Sequence, residues 1–260
     1  MKITVVTGFT ENYHEYGKTF VDRFFNYWTA DVNLICYVEK PIALKRGETF
    51  YLHNIPGYTS FMQRNNKPEY RGLRENKSWK PKEQANGYSY RHDALKFALQ
   101  GFIPYHAAQH ILTTQDLEGY LIWLDADVFA YNYVTHTYLK NILAGDVTYL
   151  GRCNAHSEIG FVGYKLPEAM PVIQCFFDYY HTDKIFELKE WHSAYVFDKA
   201  LAKHKLEKNN LTPMGRGHVW FQSPLSLCLD HCKGKRKENG FSREVVKWKS
   251  DLEKKFGHYL

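Results

Sequence analysis

Long apolar runs are missing from this chain. The longest are a handful of residues, such as 121–124 (LIWL), where a membrane span needs about 20. Past Met1 the sequence enters a short β-branched run with no small-residue cleavage pattern. The expectation is therefore a chain with no membrane span and no secretion signal, working in the cytoplasm. Cysteine is scarce and odd in number: Cys36, Cys153, Cys175, Cys228 and Cys232, none spaced C-x-x-C. Cys228 and Cys232 lack the second Cys or His pair of a structural zinc site, so reduced, mostly buried thiols are expected. No repeat, low-complexity tract or clear linker divides the 260 residues, which suits one domain over 1–260. A cationic, glycine-rich loop after the first strand is also missing. The turn there, Gly8-Phe9-Thr10-Glu11-Asn12, is acidic, which counts against a nucleotidyltransferase.

What is present is an ordinary globular composition, 44% hydrophobic and 24% charged. Aromatics reach 17%, which suits both core packing and stacking on sugars or bases. The net charge of +6 is unevenly spread. Residues 40–87 carry ten Lys/Arg against four Asp/Glu, and residues 233–255 carry nine against four, so the rest of the chain is net acidic. Such concentration fits phosphate-bearing ligands or nucleic acid, and equally a solvated loop.

Residues 2–7 (KITVVT) and 32–38 (VNLICYV) read as strands with an intervening helix over 18–30, the opening of a βαβ unit. Residues 40–87, punctuated by Pro41, Pro56, Pro68 and Pro81, predict an irregular basic insertion with short helices at most. Helical spacing returns over 88–110, with Pro104 expected to kink or divide the helix. Residues 119–124 (GYLIWL) predict a strand buried on both faces. Further strands are expected at 146–150 and 159–164, and helices near 138–143, over 167–181 and over 188–204. An amphipathic helix over 243–256 closes the chain.

The most informative residues follow the apolar strand: Asp125-Ala126-Asp127. The carboxyl end of a buried strand delivers its side chains to the ligand-binding edge of an open α/β sheet. Two carboxylates there can hold Mg²⁺ or Mn²⁺ against a diphosphate, although Asp is common in any turn. Far downstream, His231-Cys232-Lys233-Gly234-Lys235-Arg236-Lys237 fits H-x-x-G-x-x-K. A neutral imidazole can complete a carboxylate site, Gly admits close backbone approach, and the cations neutralise phosphate.

Together these features resemble the GT-A type of nucleotide-sugar glycosyltransferase, and glycosyltransferase family 8 and its relatives in particular. The resemblance implies a Rossmann-like α/β fold, a mixed sheet flanked by helices, here with a basic insertion at about 40–87 and a helical basic tail at about 233–260. It implies that Asp125, Asp127 and His231 bind Mn²⁺ (or Mg²⁺), and that Asp125 with Lys233, Gly234, Lys235, Arg236 and Lys237 approaches the diphosphate. The family's Pro-Trp after the final Lys is replaced by Glu238-Asn239. In similar enzymes the helix before D-x-D carries donor-binding charges. Arg91, Asp93 and Lys96 take that place, close enough on a helix to share a face. Glu158, in Ser157-Glu158-Ile159-Gly160-Phe161, falls where the family lines its sugar pocket. Ser193 stands where the family often has Asp, leaving Glu190 or His192 to substitute, while Trp191 is expected to pack.

The expected activity is metal-dependent transfer of a sugar from a nucleoside-diphosphate donor, a UDP-sugar by preference, to a hydroxyl acceptor. Compact size and basic balance fit an acceptor such as hydroxymethylated DNA bases of a viral genome; a glycan, lipid-linked or protein acceptor stays open. A nucleic-acid-binding module without catalysis is the alternative of a different class, but no motif of a known class appears, and it leaves D-x-D unexplained.

Overall fold

Three apolar strands buried on both faces organise the molecule. In the computed structural model, which describes residues 1–73, 79–114, 118–232 and 243–260, the strands are β1 (Lys2–Phe9), β2 (Val32–Val38) and β4 (Gly119–Leu124), with the short β3 (Glu48–Tyr51) at one edge. Ile3, Val5, Leu34, Cys36, Ile122 and Leu124 point into one core, while Val6, Ile35, Tyr37, Leu121 and Trp123 point into the other. Burial on both faces is why these strands read as nearly continuous apolar runs.

With β6 (Val147–Leu150), β7 (Glu158–Leu166) and β8 (Lys208–Asn210) they form a seven-stranded sheet in the order β3-β2-β1-β4-β7-β6-β8. All pairings are parallel except those of β7, which runs antiparallel to both β4 and β6. The result is an α/β architecture with a mostly parallel mixed sheet, compatible with a Rossmann-like fold.

One face is covered by α1 (His14–Tyr27), α5 (His136–Ile142) and the C-terminal α8 (Arg243–Phe256), which contribute Phe20, Phe24, Tyr138, Leu139, Leu252 and Phe256. The other is covered by α2 (Tyr58–Arg64), α4 (Ala94–Thr114), α6 (Met170–His181) and α7 (Ser193–Lys203). The remaining helix of the described residues, α3 (Pro81–Asn86), begins with Pro, where a missing N–H costs nothing. A separate two-stranded ribbon pairs β5 (Val128–Ala130) antiparallel with β9 (Leu229–His231), setting Val128 opposite His231.

Several expectations change. Residues 40–87 are not simply an insertion, because β3 lies within them and extends the sheet through parallel pairing with β2. Four residues of half-buried edge strand leave little periodic signal. Pro104 does not divide α4; it lacks the N–H that would bond the Gln100 carbonyl, and packing of Phe102, Ile103 and Ala107 in the core holds the helix through that gap. The same helix begins at Ala94, not at residue 88. Arg91 sits in a preceding 3-10 turn, Tyr90–His92, so Arg91, Asp93 and Lys96 do not share a helical face. Asp93 caps the helix instead, its Oδ1 accepting from the Lys96 N–H at 3.1 Å.

Candidate metal centre

The carboxyl ends of β1 and β4 open onto a cavity of about 800 Å³ walled also by the start of β7. This is the edge at which an open α/β sheet collects ligands. Backbone pairing assembles its floor: the Val128 N–H bonds the Asp125 carbonyl at 2.9 Å, making the D-x-D turn, and the Cys232 N–H bonds the Asp127 carbonyl at 3.0 Å, docking the end of β9 beside it. The β5–β9 ribbon therefore carries His231 across more than a hundred residues to the carboxylates.

His231 Nε2 lies 3.1 Å from Asp127 Oδ1 and 3.8 Å from Asp125 Oδ2. One ligand atom from each of the three residues falls within 4.8 Å of the others, so Asp125, Asp127 and His231 could hold a metal ion. Donor atoms about 2.1 Å from an octahedral cation stand roughly 3.0 Å apart at adjacent positions, a spacing the Asp127–His231 pair already has. The donors suit a hard-to-borderline divalent ion with open positions for substrate oxygens.

Supporting groups set which atoms face the cluster. Gln100 Nε2 (2.6 Å) and Trp123 Nε1 (3.1 Å) both donate to Asp125 Oδ1, turning Oδ2 toward His231. The Gly160 carbonyl accepts from the Asp125 N–H at 3.0 Å. Gly160 also leaves room for the imidazole, since a Cβ there would stand 2.6 Å from His231 Cε1. Trp220 packs against the ring at 5.2 Å between centroids. Glu158 Oε1 stands 3.5 Å from His231 Nδ1, and its Oε2 pairs with Arg152 at 2.5 Å. A carboxylate behind the second nitrogen of a ligating His orients the ring and raises its basicity. Burial, reinforced by the Asp127 carboxylate, pushes Asp125 up to about 6, and a cation at the cluster would relieve that crowding of charge.

Of the other residues singled out in the sequence, Asp93, Lys96, Glu158 and His192 line the cavity. Arg91 is 7% exposed and engaged by carboxylates. Its Nε and Nη2 bind Glu83 at 2.9 and 2.7 Å, and Nη1 binds Glu190 at 3.0 Å. Glu190 stands behind His192, its Oε2 accepting from His192 Nε2 at 3.0 Å. Trp191 packs against Tyr70, His92 and Phe186. Lys233, Gly234, Lys235, Arg236 and Lys237 lie outside the described residues. Sequence reasoning missed Gln100, Arg152, His156 and Trp220, none of which belongs to a recognisable local motif. All five cysteines are free thiols. No helix among the described residues is long and apolar enough to cross a membrane. No protein-family model matches the chain, and no curated protein matches it.

Proposed function

We propose that the chain is a metal-dependent glycosyltransferase of GT-A type, moving a sugar from a nucleoside-diphosphate donor, a UDP-sugar, to a hydroxyl acceptor. One observation carries this reading: two carboxylates and an imidazole converge at the carboxyl end of β4, at the floor of a cavity whose 800 Å³ has room for a nucleotide sugar. Asp125, Asp127 and His231 would hold Mn²⁺ or Mg²⁺, which when bound supplies the positive charge that stabilises a departing diphosphate. The chain's own residues do the rest. Gln100 and Trp123 fix the Asp125 carboxylate, Glu158 orients His231, and the wall residue Lys96 adds a cation for phosphate. Lys233, Lys235, Arg236 and Lys237 follow His231 within six residues of sequence. Donor turnover tests the reading: Asp127→Ala abolishes Mn²⁺-dependent UDP-sugar hydrolysis and transfer with the fold retained, and near-normal turnover in that variant would make the carboxylates structural.

For the acceptor we propose hydroxymethylated bases of duplex DNA. The helix α3, with exposed Lys82 and with exposed Lys80 just before it, is tied to the cavity wall through Arg91, which bridges Glu83 to the Glu190–His192 pair. A cationic element anchored beside a sugar site suits a polyanion, and duplex DNA carries about one charge per 1.7 Å of axis. Charge reversal at Lys80 and Lys82 then weakens duplex binding at low salt and leaves UDP affinity unchanged. Transfer to a neutral glycan with no DNA binding at low salt would remove DNA as the acceptor and leave the transferase standing. Lys77, another lysine of the basic stretch 40–87, lies outside the described residues.

A further inference from the structure

The cavity wall carries a second cluster of ligating side chains, built from the loop before β7 and the residues leading into α7. His156, Glu190 and His192 each place one ligand atom within 4.8 Å of the others. The two imidazoles line the cavity, with Glu190 behind them. Glu190 Oε2 lies 3.0 Å from His192 Nε2 and 3.6 Å from His156 Nε2. Ligand atoms about 2.0–2.1 Å from a tetrahedral Zn²⁺ stand roughly 3.3–3.4 Å apart, so the two spacings to Glu190 bracket those of a bound ion.

The surroundings have the form of outer support for such an ion. His156 Nδ1 is 3.3 Å from Asp198 Oδ2, and Asp198 is itself held by the Ser157 hydroxyl at 2.6 Å and the Ser157 N–H at 3.2 Å. A carboxylate on the far nitrogen of an imidazole fixes which nitrogen faces the metal. Arg91 Nη1 bonds Oε1 of Glu190, while Oε2 stands against the imidazoles. Arg91 is at the same time neutralised by Glu83. With the Arg152–Glu158 pair beside His156 neutral by itself, three carboxylates among the described residues (Glu83, Glu190, Asp198) face the Arg91 guanidinium, an excess of negative charge for a divalent cation. This cluster is distinct from the Asp125–Asp127–His231 centre. The Arg152–Glu158 ion pair stands between them, with Arg152 Nη1 donating to the His156 carbonyl at 2.9 Å.

We propose that His156, Glu190 and His192 form a second metal site, selective for Zn²⁺-like transition ions, with its open coordination position facing the cavity. Two nitrogens and one carboxylate oxygen favour Zn²⁺ or Co²⁺ over the Mg²⁺ class, and binding at this site requires no nucleotide. The site does not depend on the glycosyltransferase reading.

Co²⁺ is the probe, followed by its visible absorption without nucleotide, in an Asp127→Ala background that removes the other centre. One Co²⁺ per chain is expected, displaced by one equivalent of Zn²⁺. Adding His156→Ala, at a side chain 37% exposed and so tolerant of truncation, should weaken binding by at least about 100-fold. Asp198→Asn, a conservative change in the outer support, should weaken it by about 10–100-fold. Far-UV circular dichroism reports that each variant is folded. Absence of Co²⁺ binding in the Asp127→Ala chain, or binding unchanged by His156→Ala, overturns the proposal. Either result leaves Mn²⁺-dependent UDP binding by the wild-type chain untouched, so the two readings fail separately.

Discussion

Gly160 gives the sharpest handle on the candidate metal centre, because it sits in β7 against the ring of His231 yet contributes no side chain. An added methyl would meet His231 Cε1 at 2.6 Å and Nδ1 at 2.7 Å, where carbon contacts are comfortable only at about 3.5–4.0 Å. The imidazole must therefore retreat by about 1 Å, and it has little space to do so with Trp220 packed against it. Overpacking of this kind costs about 1–3 kcal/mol, which for a chain of this size lowers Tm by roughly 2–12 °C. The same displacement disturbs the 3.1 Å approach of Nε2 to Asp127. Gly160→Ala should consequently reduce Mn²⁺-dependent UDP affinity by about 10–100-fold, the range for disturbing a group that orients a ligand. Calorimetry of UDP with Mn²⁺ and scanning calorimetry of the free chain read the two effects. Gly163→Ala is the control: its methyl meets Leu143 Cδ2 at 2.6 Å, away from the cluster, and should lower Tm without changing affinity. Unchanged affinity in Gly160→Ala, or an equal loss in Gly163→Ala, would refute the argument that this glycine exists to seat His231.

Two other perturbations follow from the same geometry. Gln100→Leu removes the 2.6 Å donor on Asp125 Oδ1 and should weaken Mn²⁺ binding by about 10-fold, measured by Mn²⁺ titration in the presence of UDP. The hydrogen bonds from Arg91 hold Glu83 down to about 2, well below the usual carboxylate range. A depressed carboxyl contributes stability above its unfolded value of about 4.3 and loses it as pH falls through the folded value. Thermal unfolding from pH 5 to pH 2 should therefore show a steeper fall in Tm for the wild-type chain than for Glu83→Gln, and parallel curves would mean that the pair is not coupled to folding.

How much of this was legible in the chain depends on how each element earns its burial. The strand β4 and the carboxylates at its end stand out because a strand covered on both faces must be apolar throughout, so Asp125 and Asp127 mark where it leaves the core. The amphipathic α8 was legible over its whole length, and the helices α5 and α6 to within three residues, since one buried stripe imposes the helical period; α7 starts five residues later than expected, with Glu190, Trp191 and His192 ahead of it. The strands β3, β8 and β9 were not, being three or four residues long and stabilised by pairing with neighbours rather than by an alternating pattern of their own. For that reason His231 was recognised by resemblance while its position in a strand was not. The groups around the Asp125–Asp127–His231 cluster, Gln100 from α4, Gly160 from β7 and Trp220 before β9, meet only in three dimensions. The His156–Glu190–His192 cluster is likewise split over some 35 residues, and local spacing brings only its last two members near each other.

On the proposed function, Asp125, Asp127 and His231 would hold a divalent ion that in turn holds a nucleoside diphosphate. Calorimetric titration of UDP into the wild-type chain, with Mn²⁺ and again with a chelator, tests it most directly. Binding should depend on Mn²⁺ and disappear in Asp127→Ala. Equal UDP affinity with and without the metal would contradict it.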